Sequence, residues 1–549
     1  MTKLKLKPKL FFCFIVFFSI FGLAKNSHAA TYYIDYSNGS DTNNGTSTST
    51  PWKLAPGMRG CSVGDTGGNC NAKRVSGGTP GDRFIFKGGV TWPRAALSFN
   101  WYFGSGTTAN PIYFGVDKAW YAGGAWSRPV MDAEDNEPYP SPENYYTMMA
   151  IYGDGFVVDN LEFKGLAQLA DTNPIYPGML TVGTSIASVQ GIEVKNCYFH
   201  GWSHGGTAVH DNMMVLSTVL WDTPDMNLKI HDNVWDGSDT TKDMALAYKG
   251  SAGHFYNNYV GDMSNMYVGV NEGYMWGNSF INIGIGRGID CTFINGVSDY
   301  FSFDCTTHGN TDETYGTHYG YYNNYSDHVG GGANLIYYPE PSGSTTVFNN
   351  VVVDDGNQTM QLGALYMTPS NTFGYNIFNN TFQVTATNGT INGGTGGGDG
   401  SRFSFAKIQN NHIISSPIGS SINMSNITTT TTQDHNLDQT AEVALAAGYL
   451  STQTHPYSPQ ASNSSTVNSG TVLSLICSGL SDVAPSLIAT ACLSDTTLGV
   501  TYDAVNHAVT GDGKAAILRG ASWDIGAYEY ATGTSDTTPP TAPSGLNVD

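Results

Sequence analysis

An all-β solenoid is the fold that this 549-residue sequence predicts, and three observations predict it. The first is a phrase that keeps returning: alternating apolar residues, then one or two Asn, then an aromatic or β-branched residue. It reads FVVDNLEF from Phe156, IEVKNCYF from Ile192, LKIHDNVW from Leu228, HFYNNYV from His254 and YMWGNSF from Tyr274. It continues as GYYNNYS from Gly320, TVFNNVVV from Thr346, YNIFNNTF from Tyr375 and KIQNNHII from Lys407. The second is spacing. The last Asn of each phrase falls at Asn160, Asn196, Asn233, Asn258, Asn278, Asn324, Asn350, Asn380 and Asn411, at intervals of 20 to 46 residues. The third is composition, with 66 Gly and only 13% charged residues, which suits a turn-rich β chain. A unit that cannot bury its apolar face alone, but can stack on copies of itself, gives a solenoid. Alternation inside each phrase is strand periodicity, so the stacked unit is a β coil. On this reading the 46-residue interval is two coils of 23, and the other long ones carry loop insertions.

These phrases resemble those of the right-handed parallel β-helix proteins secreted by bacteria, the pectate lyase-like polysaccharide lyase superfamily, from about Thr31 to about Tyr530. That family stacks Asn on Asn at one corner of successive coils. The pairs Asn257-Asn258, Asn323-Asn324, Asn349-Asn350, Asn379-Asn380 and Asn410-Asn411 resemble such a ladder. TYYIDYSNGSDTNNGTSTSTPWK from Thr31 resembles the opening of the first coil, and WDIGAYEY from Trp523 resembles a closing strand. The resemblance implies an enzyme acting on polysaccharides, as a lyase or as a hydrolase. It specifies the fold well and the chemistry poorly.

Taken in order, residues 1–29 read as a signal peptide. Lys3, Lys5, Lys7 and Lys9 precede an apolar run from Leu10 to Leu23, and Ser27 and Ala29 suit cleavage after Ala29. The run is shorter than the roughly 20 residues a membrane span takes. Residues 30–150 read as an N-terminal cap and first coils, which shield the open end of the solenoid. Residues 151–530 read as the parallel β-helix, with the stacked phrases ending near Ser416. Past them, NITTTTTQ and SPQASNSSTVNSGT read as loops, and AEVALAAGYL from Ala441 as one short helix. Residues 531–549 read as a Thr/Pro linker whose end resembles the first strand of a fibronectin type III module. The expected product is a secreted, extracellular monomer without membrane insertion.

The formal net charge is −21, and it becomes more negative once the lysines of the leader are removed. Such a field disfavours nucleic acid and anionic membranes as partners. It also opposes a polyanionic substrate unless the groove is locally basic or holds cations. Of the cysteines, Cys61 with Cys70, Cys291 with Cys305, and Cys477 with Cys492 are spaced for local disulfides in an oxidising compartment. Cys197 reads as a buried thiol inside a coil.

A lyase needs a base for the C5 proton of a uronic acid and a cation for the carboxylate that becomes enolate-like. Basic residues are scarce between Ile151 and Ser416: Lys164, Lys195, Lys229, Lys242, Lys249, Arg287, Arg402 and Lys407. Lys195, Lys229 and Lys407 lie inside strand phrases and are expected to point into solvent. Lys249, in MALAYKGSAGHFYNNY, precedes a Gly and then a ladder phrase. That step resembles the base-bearing coil of the chondroitinase B and alginate lyase group, which implies Lys249 as base. The group also places an Arg about one coil later; here YVGVNEGYMW has none, and the nearest is Arg287. A solvated Lys at a strand end is the other reading.

Asp236, Asp239 and Asp243 in WDGSDTTKD are a candidate Ca2+ site, or an acidic turn with side-chain caps. Trp202, His204 and His210 in FHGWSHGGTAVHDN are candidate sugar contacts, Trp by stacking and His by acid–base or hydrogen-bonding work. His200 belongs to the same stretch. A hydrolase would need two facing carboxylic acids. Asp299 with Asp304, Asp312 with Glu313, and Asp354 with Asp355 offer no pair of matching strand parity. The sequence therefore predicts a polysaccharide lyase first, a glycoside hydrolase second, and a non-catalytic glycan-binding adhesin or scaffold third.

Overall fold

The computed structural model describes residues 29–61, 78–101, 104–139, 147–168, 178–182, 189–204, 213–217, 227–239, 245–251, 253–263, 265–271, 274–283, 318–327, 336–337, 343–355, 360–362, 373–384, 390–393, 403–415, 422–424, 431–480, 486–511 and 514–530. The predicted leader and the C-terminal linker lie outside them.

Strands of successive coils pair into long sheets. The first sheet has 13 strands, from Thr31–Ile34 to Thr431–Asp434. The second also has 13, from Thr91–Trp92 to Leu437–Thr440, with Ser203–His204 paired at the side of Glu162–Gln168. The third face is a six-stranded sheet from Phe99–Trp101 to Asn265–Asn271, then a four-stranded one from Ile336–Tyr337 to Ile422–Asn423. The pairings are parallel throughout, as in Lys195 against Asp159 and then His231. Parallel neighbours need crossover connections, which take the right-handed sense. The fold is a right-handed parallel β-helix. Strands of the N-terminal cap already belong to these sheets.

The corner between the first and second sheets explains the repeated Asn. The first residue of each pair bends the chain: Asn257, Asn323, Asn349, Asn379 and Asn410 have φ of 52–58°, a left-handed conformation that Asn tolerates. The second residue forms the ladder. Asn233, Asn258, Asn278, Asn324, Asn350, Asn380 and Asn411 each donate Nδ2–H to the next Oδ1 along the stack, at 2.9–3.2 Å, and Asn436 is the last acceptor. Each Nδ2 also donates to a main-chain carbonyl one coil back, as Asn278 does to Phe255 at 3.0 Å. Amides that are buried and fully bonded in this way fix the register between coils.

The ladder shows what fills the coils that lack a second Asn, and it corrects one sequence expectation. Asn160 and Asn196 take the bend (φ 58° and 55°), so the ladder positions of their coils hold Leu161 and Cys197. The 46-residue interval is one coil, not two. Tyr274–Trp276 pairs directly with residues 320–322, and Asn278 bonds directly to Asn324, leaving no room for a coil between them.

Inside the solenoid, alternation sends every second side chain inward, and like stacks on like. Phe163, Phe199, Trp235 and Phe255 form one such column, with ring centroids 5.1–5.6 Å apart. Outside the first sheet, Tyr256, Trp276, Tyr322, Phe348 and Phe378 form another, at 4.2–5.8 Å.

Residues 441–530 do not close the solenoid with a strand; they run back along its flank. The predicted helix is present as Ala441–Ala446, capped by the Thr440 hydroxyl, and two unpredicted helices follow at Ser474–Leu480 and Ser486–Cys492. These last two are tied by the Cys477–Cys492 disulfide, and they cover Tyr274, Tyr322, Phe348 and Phe378. The Trp523–Tyr530 segment packs outside the coils as an irregular strip, with the Ala527 N–H donating to Thr381 Oγ1 at 3.0 Å. Cys61 is also disulfide-bonded, and Cys197 is a buried free thiol whose burial pushes its pKa up to about 12. Cys70, Cys291 and Cys305 lie outside the described residues.

Candidate functional site

Strand Val234–Asp236 of the second sheet turns Trp235 inward and Asp236 outward, yet Asp236 is only 6% exposed. A hairpin of the C-terminal segment, Thr501–Asp503 with Ala508–Thr510, supplies the reason. Tyr502 Oη donates to Asp236 Oδ2 at 2.7 Å, and Asp236 Oδ1 accepts the Ser238 N–H at 2.9 Å. With its proton committed to Asp236, the Tyr502 oxygen lies 2.8 Å from His507 Nδ1, as acceptor. Burial, followed by the hydrogen bond and charge of Asp236, raises the Tyr502 pKa well above the usual phenol range.

Asp239, in the turn leading toward the third sheet, faces a different partner. Its Oδ2 lies 2.7 Å from His200 Nδ1, and its Oδ1 accepts the Gly201 N–H at 2.9 Å. The other ring nitrogen of His200 is 3.1 Å from Glu162 Oε1. Burial pulls the imidazolium pKa down, but the hydrogen bonds to Asp239 and Glu162 overcome it and push the value up to about 9. Burial raises the Asp239 carboxyl, and its His200 and Gly201 contacts more than offset this, holding it below the ordinary value. His200 is thus a held cation at neutral pH and a poor base.

These facts bear on the predicted calcium site. Asp236 and Asp239 stand in one turn, but their oxygens are occupied by separate protein donors. Among the described residues no group of three or more His, Cys, Asp or Glu is arranged to hold a metal ion. Among the described residues the donor set does not make a calcium cage. Asp243 lies outside the described residues.

Trp202 is 1% exposed and belongs to the main core, so its ring faces are covered by protein rather than open to a sugar. The backbone places His204 at the side of the second sheet, next to Gln168. Lys249 sits in Ala245–Ser251 of the third sheet, opposite Gly269. Arg287 and His210 lie outside the described residues, as do Asp299, Asp304, Asp312 and Glu313. The structure therefore brings Asp236, Asp239 and Trp202 to one corner and puts Lys249 on the following strand of the same coil. Glu162 and Tyr198, part of the His200 network, gave no sequence signal beyond strand parity. Tyr502 and His507 gave none, because Tyr502 reaches Asp236 from 266 residues away and His507 bonds Tyr502.

The C-terminal segment also covers part of the solenoid. Its hydrogen bonds run from Asn410 (to the Thr471 carbonyl) through Asn349 (to Ala491 and Ser494) and Ser279 (to Val500) to Arg128 (to Asn506). Among the described residues these contacts fall on the first sheet, the second sheet and the corner between them. None of these hydrogen bonds falls on the third sheet, although its strands Thr147–Ile151 and Gly178–Val182 are buried on both faces. Its described strands read FNW, TMMAI, GMLTV, MMVLS, ALAYKGS, NMYVGVN, IY, MQL, ING and IN. Lys249 is the one Lys, Arg, His, Asp or Glu among them.

No known protein family matches the sequence, and no curated protein matches it. Solved structures do resemble the chain. A GH136 lacto-N-biosidase from Eubacterium ramulus aligns at 12% identity and TM-score 0.41, covering 75% of this chain and 68% of its own. Pectate lyase Pel9A aligns at 14% identity and TM-score 0.40, covering 92% and 97%. A PL6 family polysaccharide lyase from Pseudopedobacter saltans aligns at 13% identity and TM-score 0.36, covering 71% and 96%.

Proposed function

We propose that the chain is a secreted enzyme that cleaves a uronic-acid-containing polysaccharide by β-elimination, with Lys249 as the base. The observation that carries this reading is the isolation of Lys249. It is the only ionic residue in the described strands of the third sheet, on which none of the C-terminal hydrogen bonds named above falls. A long face repeated coil by coil, at about 4.8 Å per step, suits an extended polymer of repeating units.

In the proposed step the neutral Lys249 amine takes the C5 proton of the uronate. The C5–H electrons form the C4=C5 double bond as the C4–O glycosidic bond breaks, and the departing oxygen takes up a proton. One product carries an unsaturated sugar at its new end, and the other a new reducing end. Arg287 is proposed as the partner of the substrate carboxylate. Its charge would favour the enolate-like transition state over the ground state.

The test is ultraviolet absorbance of the unsaturated product across a panel of polyuronates, with wild type and Lys249→Ala side by side. Absorbance that rises only with wild type supports the reading. Release of reducing sugar without unsaturation would move the activity to hydrolysis. Glycan binding without any turnover would make the chain a non-catalytic binding protein.

A further inference from the structure

The molecule is strongly acidic, and several of its described cations are neutralised: Lys87 by Asp35, Lys164 by Asp132, Lys195 by Glu193, Lys514 by Asp495 and Arg519 by Glu529. Among those that are not, two arginines near the N-terminal end share one aromatic ring. Arg59 and Arg94 both stack on the ring of Tyr139, with their guanidinium carbons 3.7 and 4.2 Å from its centroid. The two cations therefore lie within about 8 Å of each other. Among the described residues neither guanidinium is in an ion pair. The one side-chain hydrogen bond between them is from Arg94 Nε to the Glu137 carbonyl, at 2.6 Å. Arg59 is exposed, and Arg94 and Tyr139 are half-buried, so the remaining N–H donors are reachable from solvent.

The place of this cluster matters. Arg94 opens the Arg94–Ala96 turn between strand Thr91–Trp92 of the second sheet and Phe99–Trp101 of the third. Tyr139 follows strand Val130–Asn136 of the second sheet, and the Ser98 hydroxyl donates to its carbonyl. The cluster thus stands where the third sheet begins. The third-sheet order Phe99–Trp101, Thr147–Ile151, Gly178–Val182, Met213–Ser217, Ala245–Ser251 puts Lys249 four strands along. Four inter-strand steps are ~19 Å.

We infer that Arg59, Arg94 and Tyr139 form a binding site for an anionic group of a glycan, a carboxylate or a sulfate, at the N-terminal end of the third face. Guanidinium forks match planar and tetrahedral oxyanions through paired N–H donors. Stacking on Tyr139 holds both forks in place before any ligand arrives, so little side-chain freedom is lost on binding. An anion near the two cations also offsets their mutual repulsion. The site offers two guanidiniums to a polyanion where the third face begins, with Glu134, Asp135 and Glu137 in the chain just before Tyr139. As a subsite for a polyuronate, it rests on the proposed lyase reading; as an anion site, it stands without it.

The test is direct binding, by isothermal titration calorimetry, of a polyuronate, a sulfated glycan and a neutral glycan of similar length to the full chain. It is run on wild type, on Arg59→Gln/Arg94→Gln and on Arg59→Lys/Arg94→Lys, with melting curves to confirm that each variant folds. The expected result is that wild type prefers the anionic polymers, and that the Gln pair weakens them about tenfold or more with no effect on the neutral one. The Lys pair should fall between, since charge remains but the fork is lost. Whichever anionic polymer loses more affinity identifies the preferred group. Equal binding of anionic and neutral glycans by wild type, or unchanged anionic binding by the Gln pair, would overturn the site. If Arg-dependent binding occurs without unsaturated product, the lyase reading fails and the site stands. Turnover with Arg-independent binding gives the converse.

Discussion

Asn278 and Asn324, 46 residues apart in sequence, are direct neighbours: Asn278 Nδ2 donates to Asn324 Oδ1 at 2.9 Å. The same oxygen accepts the Asn278 main-chain N–H at 3.0 Å, and Asn324 Nδ2 serves Met275 and Asn350 in turn. One side chain therefore holds three successive coils together. Asn324→Ala leaves several buried polar groups unpaired, each costing ~1–3 kcal/mol. The expected loss is about 3 kcal/mol or more, read from the denaturation midpoint. A loss under about 1 kcal/mol would show that the ladder does not set register.

The His200 network predicts a pH dependence of stability. Its folded pKa, about 9, lies above the ordinary imidazole value of about 6.5. The stabilisation is therefore complete below pH ~6.5 and is lost as pH rises through about 9. The full shift would correspond to ~3 kcal/mol, but Asp239 is half-exposed, so about 1–2 kcal/mol is expected. Melting temperature should fall between pH 6.5 and 9.5 in wild type and fall less in His200→Gln.

Asp236 is predicted to anchor the C-terminal hairpin. Tyr502→Phe removes the donor to Asp236 Oδ2 and should cost ~1–3 kcal/mol, with faster amide exchange confined to residues 501–510. Unchanged protection there would mean that the hairpin is held by other contacts.

The Cys477–Cys492 disulfide closes a loop of 15 residues, for which chain entropy gives ~3 kcal/mol. Cys477→Ala/Cys492→Ala should loosen the two helices and expose Tyr322 and Phe348 to protease and solvent probes. The ladder should stay intact, because its bonds lie in the coils beneath.

The repeat was legible because fold and phrase share one cause. Asn410 must bend left-handed and Asn411 must bond to its copies, so both stayed Asn. The ladder was not legible where another residue satisfies the same position: Leu161 and Cys197 fill it without an amide, and Gly277 bends where other coils use Asn. The count of coils failed at Asn278 because an interval of 46 residues does not by itself distinguish a loop insertion from a coil. Of the site, the sequence reading placed Asp236 in a loop, whereas it ends a strand and points outward. It did not give the Tyr502 and His507 that cover it, since a segment folding back across several coils leaves no local periodicity. The burial of Trp202 was hidden for a similar reason, because Trp serves a core column and a sugar platform equally well.

The most direct test of the account is the ultraviolet trace of polyuronate cleavage by wild type against Lys249→Ala. The account predicts a rising signal of unsaturated product for wild type and a loss of at least about a hundredfold for the variant, the lower range for removing a positioned base. Equal rates in the two proteins, or a flat trace for wild type on every polyuronate, would contradict it.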